Sequence, residues 1–285
     1  MLAKFGPAGN SESFSTMGYK HSESIPEYLT KFNLDHFEYQ CGRGVNISQE
    51  KALKLGEIFK EANLTISLHA PYYISMSSVE EEKRLNSVNY ILQSARAVNA
   101  LGGNRIVVHT GSCSKISREE ALSLAKDTMV IALDALKNEG LDHIHICPET
   151  MGKINQLGTM DEVVALCELD ESLIPCIDFG HLNARTMGDV NSKEAFKEIL
   201  DKIYNKLGSY RAQNFHSHFS KIEYTTGGEK RHLTFTDTQY GPNFEPLMDL
   251  IYERNLSPVF VCESAGTQAE DAKAMKDYYT SLFKG

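Results

Sequence analysis

Histidines and acidic residues stand at the ends of six apolar segments of the chain. In LIPCIDFGH, residues 173–181, an apolar run finishes with Asp178 and, three positions later, His181. The other five segments end in the same way, with His69, with His109, with Glu149, with the pair His216 and His218, and with Glu263. A single histidine at such a position is usually a hydrogen-bonded structural residue. Six successive segments with such ends predict a shared site instead.

A cluster of carboxylates and imidazoles predicts bound metal. Buried charges are costly unless compensated, and divalent cations bind carboxylate oxygen and neutral imidazole nitrogen together. The candidate ligands are His69, His109, Glu149, Asp178, His181, His216, Glu263 and His232. They exceed the roughly four ligands that one zinc ion takes, so we expect two or three ions with Glu149 or Asp178 bridging. Imidazole-rich sites favour Zn2+, with Mn2+ or iron as alternatives. His218 shares a strand face with His216 and is either a further ligand or a supporting residue.

These residues need a scaffold that brings the ends of the apolar segments together. Eight short apolar runs are typical of strands, at residues 2–5, 36–41, 64–69, 105–109, 143–147, 173–177, 213–218 and 258–262. Helical patterns alternate with them, at residues 48–63, 79–102, 117–140, 159–169, 195–208, 243–255 and 268–283. Such alternation indicates parallel strands with right-handed crossovers.

Eight such units predict an α/β fold, a single (β/α)8 TIM barrel over residues 1–285. In this fold the active site lies at the C-terminal ends of the strands, where the candidate ligands stand. A doubly wound sheet is less favoured, because KFGPAGNSES after the first run contains no GxGxxG motif.

The composition narrows the class of protein. The chain is 41% hydrophobic and 24% charged, and its net charge of −9 argues against a surface that coats polyanions in general. Bound metal cations or a local basic patch would still allow a nucleic-acid substrate. The six cysteines form no CxxC pair, which predicts reduced thiols in a cytoplasmic protein. The N-terminus lacks a signal-peptide pattern and no long apolar stretch predicts a membrane span. The sequence predicts no protein partner.

The strand ends resemble those of the endonuclease IV family of apurinic/apyrimidinic endonucleases (family 2), within the xylose isomerase-like TIM barrel superfamily. The motifs LHAPYY, VVHTG, PET (148–150), CIDFGH, the histidine of NFHSHF and the glutamate of VCES match that family in order and approximate spacing. The resemblance implies a zinc-dependent phosphodiesterase that cleaves damaged double-stranded DNA 5′ to abasic sites, in base excision repair, by metal-activated hydroxide.

The same resemblance implies a role for each matching residue. His69 and His109 would hold one zinc ion, and the catalytic residue Glu149 would bridge it to a second. Asp178, His216 and Glu263 would complete the second site, and His181 would belong to a third. Tyr72 matches the family residue that reaches into DNA where the abasic nucleotide is extruded.

The loop GGEKRH departs from the family pattern. The family places an Asp-x-His pair there, whereas Glu229 and His232 stand one residue further apart. Either Glu229 and His232 bind the third metal with an adjusted loop, which the pair Gly227–Gly228 permits, or the third metal is weak or absent. Arg43, in YQCGRGVNIS, is a candidate DNA contact.

A sugar isomerase or epimerase of the same superfamily is the alternative. The resemblance to those enzymes rests on one set of metal ligands, which Glu149, Asp178, His216 and Glu263 would satisfy. Such an enzyme does not need His69, His109 or His181 as ligands. Because all three are present, the sequence favours the multinuclear nuclease.

Overall fold

The structure, a computed structural model, describes residues 2–113 and 116–284. Its strands are β1 (Lys4–Pro7), β2 (His36–Gln40), β3 (Thr65–His69), β4 (Arg105–Val108), β5 (His145–Pro148), β6 (Cys176–Asp178), β7 (His216–Phe219), β8 (Ile222–Thr225), β9 (Gly228–His232) and β10 (Val259–Cys262). Its α-helices are α1 (Glu12–Thr16), α2 (Ile25–Lys31), α3 (Gln49–Glu61), α4 (Glu81–Ala100), α5 (Arg118–Asn138), α6 (Met160–Cys167), α7 (Phe179–Arg185), α8 (Lys193–Asn214), α9 (Glu245–Glu253) and α10 (Gln268–Ser281). Among the described residues, no helix combines the length and apolar character that a membrane span requires.

Eight of the strands run parallel around a closed barrel. They form two four-stranded sheets, in the orders β1-β10-β7-β6 and β2-β3-β4-β5. Parallel bridges join the sheets at both seams, one between Ala8 and Glu38 and the other between Glu149 and Cys176. The predicted (β/α)8 barrel is therefore confirmed, and the C-terminal ends of all eight strands meet at one face.

The helices that surround the barrel follow from apolar stripes and capping residues in the sequence. In α5 the side chains of Ala121, Ala125, Met129, Ala132 and Leu136 are all buried, at the three- and four-residue spacing of one helix face. Ser117 accepts a hydrogen bond from the Glu120 backbone N–H at 3.1 Å, and Ser48 caps α3 in the same way. Both caps stand where the sequence predicts that a helix begins.

Four features of the fold were not predicted, and one of them is the short helix α7, which follows β6 directly. The first crossover contains α1 and α2, whose short sequences show no extended helical period. The predicted helix at 195–208 ends where Gly208 adopts a φ of +83°, and a further helical turn then completes α8. The predicted loop after β7 is an antiparallel hairpin of β8 and β9, in which Thr225 and Gly228 are paired around a two-residue turn. This hairpin stands outside the barrel wall and extends over the site.

The interior of the barrel is polar at its centre. His36, Glu38, Ser67 and His216 are all at most 2% exposed and lie on the inner strands β2, β3 and β7. Branched apolar residues usually fill this position in TIM barrels. Buried polar groups of this kind require hydrogen-bond or charge partners, which connect them to the site described next.

Candidate metal centre

Glu149 lies at the centre of the donor cluster on the C-terminal face. It follows β5 directly and is 1% exposed. Its Oε2 lies 3.1 Å from His109 Nε2 and 3.6 Å from His69 Nε2, at the ends of β4 and β3. The Nδ1 of His69 donates to the Ala70 carbonyl at 2.8 Å, which directs Nε2 toward Glu149. The structure therefore brings His69, His109 and Glu149 together, as the sequence predicts.

Asp178 and His181 reach the same cluster from the end of β6. Because Asp178 caps α7, its Oδ1 accepts from the His181 backbone N–H at 2.7 Å and its Oδ2 faces the site. The His181 Nδ1 lies 2.9 Å from the Thr150 carbonyl and 3.4 Å from Glu149 Oε1. Glu263, which follows β10, is the third carboxylate of the cluster. Its Oε2 lies 3.5 Å from His218 Nδ1.

His218, and not His216, is the strand β7 histidine in this cluster. The Nδ1 of His218 lies 3.0 Å from Glu149 Oε1, and His218 is paired in register with Asp178. His216 is paired with Cys176, two residues further from the C-terminal end of the barrel. Its Nε2 lies 2.9 Å from Glu38 Oε2. The sequence predicts His216 as a ligand of the second site, whereas the structure places its ring against Glu38, below this cluster. Both side chains face the barrel axis, and the register of β7 against β6 decides which one reaches the site.

The hairpin of β8 and β9 brings Glu229 and His232 to the cluster in spite of their spacing. Tyr224 is paired with Glu229 and Glu223 with Arg231, so Lys230 is an extra residue in β9, a β-bulge. Lys230 and Arg231 consequently point to the same side, where both form ion pairs with Glu223. Glu229 and His232 point to the opposite side, toward His181. The bulge therefore places Glu229 and His232 on one side of β9, which is the arrangement that the sequence predicts for an adjusted loop.

Glu229 lies within 4 Å of both His181 and His232. Glu229 Oε2 lies 3.4 Å from His181 Nε2, and Glu229 Oε1 lies 3.9 Å from His232 Nε2. The His232 Nδ1 is 2.8 Å from the Ser220 hydroxyl, which fixes the ring. A Cβ on Gly152 would lie 2.6 Å from the Glu229 Cβ, so a glycine at 152 lets the hairpin approach the loop after β5.

A cavity of about 330 Å³ opens above the donors. Its lining adds Met151, Lys153, Gln156 and Tyr72 to the residues already described. Tyr72 is 57% exposed, and its ring stacks on His109 with centroids 5.2 Å apart. Arg43 is exposed on the loop after β2, next to Gly42, whose carbonyl accepts from the Tyr72 backbone N–H at 3.1 Å. A larger crevice of about 520 Å³ lies between α3 and α4 on the outside of the barrel, remote from these donors.

The pKa values of the carboxylates in the cluster are set by burial and by the neighbouring histidines. Burial alone would raise the pKa of Glu149, but His218, His109 and His181 hold that pKa well below its usual value. Burial raises the pKa of Asp178 to about 6. Burial also disfavours the charged form of Glu263, yet His218 lowers the pKa of Glu263 to about 2. Protonated imidazoles thus balance the carboxylates, a balance that a divalent cation would also provide.

The chemistry of the donor set fits divalent metal ions. Among the described residues, four groups of donors have ligand atoms within 4.8 Å of one another, and three of these groups lie on this face. They are His69–His109–Glu149, Glu149–Asp178–His218–Glu263 and His181–His232–Glu263. Glu149 Oε2 and Asp178 Oδ2 are buried there and accept no hydrogen bond, although imidazole nitrogens lie 3.1 Å and 3.2 Å from them. Unpartnered buried carboxylate oxygens are costly unless a cation satisfies them.

Solved structures share the barrel. A D-tagatose 3-epimerase-like protein superposes with a TM-score of 0.74 at 20% identity, over 99% of this chain and 98% of that protein. Endonuclease IV from Thermus thermophilus superposes with a TM-score of 0.68 at 17% identity, over 98% of this chain and 99% of that protein. At such identities the likeness shows the fold and does not choose between the two chemistries.

Relatives are also found by sequence. An uncharacterized protein of Methanocaldococcus jannaschii is 34% identical over 252 residues, 88% of this chain and 90% of that protein. A probable endonuclease 4 of Aster yellows witches'-broom phytoplasma is 28% identical over 226 residues, 75% of this chain and 73% of that protein. The family model described as xylose isomerase-like TIM barrel matches residues 26–280, which include every donor of the cluster. The barrel, its donor-bearing face and this match agree, and the chain belongs to the xylose isomerase-like TIM barrel family.

Proposed function

We propose that the chain is a zinc-dependent phosphodiesterase that cleaves double-stranded DNA 5′ to abasic sites. One observation carries the proposal: His69, His109 and His181 all lie within 3.6 Å of the Glu149 carboxylate. A sugar epimerase would be served by Glu149, Asp178, His218 and Glu263 alone. The additional imidazoles are explained by more than one metal ion, and the sequence similarity to a probable endonuclease 4 supports the same reading.

The residues would divide among two or three ions. His69, His109 and Glu149 would hold one, and Glu149 with Asp178, His218 and Glu263 would hold a second. His181 and His232, with Glu229 or Glu263, would hold a third. Divalent ions bound there supply positive charge that lowers the pKa of a water molecule and stabilises negative charge on a phosphate.

The remaining chemistry belongs to the chain itself. Glu149, fixed by three surrounding histidines, orients the nucleophilic water and keeps the donor groups at a constant separation. Partial burial, with the carboxylates of Glu263 and Glu149, raises the pKa of Tyr72 to about 12. Its hydroxyl is protonated at neutral pH, as in any tyrosine, and can donate to a phosphate or sugar oxygen. The exposed Tyr72 ring offers a stacking surface at the cavity mouth, and Lys153 and Arg43 supply positive charge for the DNA backbone.

The test is incision of a duplex that carries one abasic site. Zinc-loaded protein should cleave this duplex and leave an undamaged duplex intact. Glu149→Gln and His181→Ala should each lose most of the activity, because each removes a donor from the cluster. Epimerisation of a ketohexose with Mn2+, without incision by the zinc-loaded wild type, would overturn the proposal and establish the epimerase instead.

The bulge at Lys230 gives a prediction about the third ion. Deleting Lys230 leaves Glu229 and His232 two residues apart, and alternate residues of a regular strand share a face. We therefore expect this deletion to keep the wild-type number of bound zinc ions, measured by mass spectrometry of the native protein.

The matched control is deletion of both Lys230 and Arg231. Glu229 and His232 are then adjacent and point to opposite faces, so one zinc ion should be lost. Equal zinc content in the double deletion and the wild type would mean that the hairpin contributes no ligand pair.

A further inference from the structure

Glu38 is a buried carboxylate beneath the candidate metal centre. It lies on the inner face of β2 and is 0% exposed. Its Oε1 lies 2.9 Å from His218 Nε2, and its Oε2 lies 2.9 Å from His216 Nε2. His218 Nε2 forms no hydrogen bond, so its approach to Glu38 Oε1 is a short charge contact. The sequence signal is the alternation His36-Phe-Glu38-Tyr-Gln40, which places three polar side chains on one strand face.

The two nitrogens of His218 face different partners. Its Nδ1 lies 3.0 Å from Glu149 Oε1, in the donor cluster, and its Nε2 faces Glu38. Half a turn of the ring about its Cβ–Cγ bond would put a ring carbon in the place of each nitrogen, so that neither nitrogen would face its present partner. A carboxylate on one side of a histidine fixes both the ring orientation and the proton position, and it raises the basicity of the other nitrogen.

Glu38 is itself held in place. The Ser67 hydroxyl donates to its Oε2 at 2.9 Å, and the Gln40 amide donates to its Oε1 at 3.2 Å. Ser67 is in turn 2.9 Å from His36 Nε2, and His36 Nδ1 is 2.9 Å from the Thr65 hydroxyl. This set of contacts runs from the donor cluster through the barrel interior toward its opposite mouth. A carboxylate anchored on several sides is suited to orient a neighbour.

We propose that Glu38 is a positioning residue that holds the His218 imidazole with Nδ1 directed to the metal centre. The inference rests on the metal-site part of the proposed function. His216 then has a defined purpose, since it fixes the other oxygen of Glu38 and takes no part in the donor cluster. Glu38 tunes one metal position, the one that contains His218, and leaves the His69–His109 position unaffected.

The test is Co2+ binding to the chelator-stripped full chain, followed by calorimetry. Glu38→Gln should weaken one class of Co2+ site by about 10- to 100-fold, the range for loss of an outer partner of a metal ligand, and leave the other classes unchanged. Glu38→Asp should weaken the same class, because its carboxylate is one methylene too short to reach His218. The matched control is Glu162→Gln, a buried glutamate held by Arg118 and the Thr159 backbone, which should bind Co2+ as the wild type does.

Several outcomes would decide against the proposal. Wild-type affinity at every site in Glu38→Gln overturns it, and wild-type affinity in Glu38→Asp alone would assign Glu38 a role through charge and not through position. If Glu38→Gln shows no cooperative unfolding, Ser67→Ala replaces it and should weaken the same site by a smaller factor; unchanged affinity there overturns the proposal. A wild-type chain that binds no Co2+ would instead remove the proposed function.

Discussion

Replacing His218 by alanine should lower incision of abasic DNA by more than about 100-fold, since an outer partner of a metal ligand alone is worth about 10- to 100-fold. The reason is its place between two carboxylates of the cluster, with Nδ1 3.0 Å from Glu149 Oε1 and 3.5 Å from Glu263 Oε2. Removal of this imidazole leaves the second metal position without its only nitrogen donor in the Glu149–Asp178–His218–Glu263 group. Initial rates with zinc-loaded protein, together with zinc content per chain, measure the effect.

His216→Ala is the matched comparison, since it removes the same ring two residues away on the same strand. We expect a stability loss of about 1–3 kcal/mol, because Glu38 loses a buried partner, and a smaller loss of zinc affinity than in His218→Ala. Urea unfolding gives the first quantity and chelator competition the second. If His216→Ala weakened zinc binding more than His218→Ala did, the result would show that His216 is the zinc ligand.

Removing metal should lower both the activity and the thermal stability of the protein. A ligand that binds only the native state stabilises it by about 4 kcal/mol at a thousandfold excess over its dissociation constant. For a chain of this size each kcal/mol shifts the unfolding midpoint by about 2–4 °C. Dialysis against a chelator should therefore lower the midpoint by roughly 10 °C, and added Zn2+ should restore it. Differential scanning fluorimetry on stripped and reloaded protein measures the shift.

This stabilisation should grow with pH across the range where the histidines lose their protons. Burial favours neutral His181, but Asp178, Glu149 and Glu229 raise its pKa well above the usual value. A bound metal must displace that proton, so metal competes poorly at low pH and better as the pH rises. The zinc-dependent shift in midpoint should be larger at pH 8 than at pH 6. A shift of equal size at both values would mean that no titrating histidine binds the metal.

The barrel and most of its functional face were predictable from the sequence because they depend on local patterns. Apolar runs of strand length and amphipathic helical stretches alternate along the chain. Parallel strands that are joined in this way have their C-terminal ends on the same face of the barrel. Polar residues at those ends, such as His69, His109 and Glu149, therefore converge without any knowledge of distances. The expected convergence of Asp178, His181 and Glu263 follows from the same rule.

Tertiary structure alone decided the features that depend on register between strands. His216 and His218 share one strand face, so the sequence period cannot separate them; the pairing of Asp178 with His218 does. The bulge at Lys230 is likewise a property of the β8–β9 ladder, and it reconciles the spacing of Glu229 and His232 with a common face. Glu38 contacts His218 only because the closed barrel brings β2 and β7 within reach across its axis. Side-chain direction is encoded locally, whereas depth and neighbours are set by how strands from distant parts of the chain align.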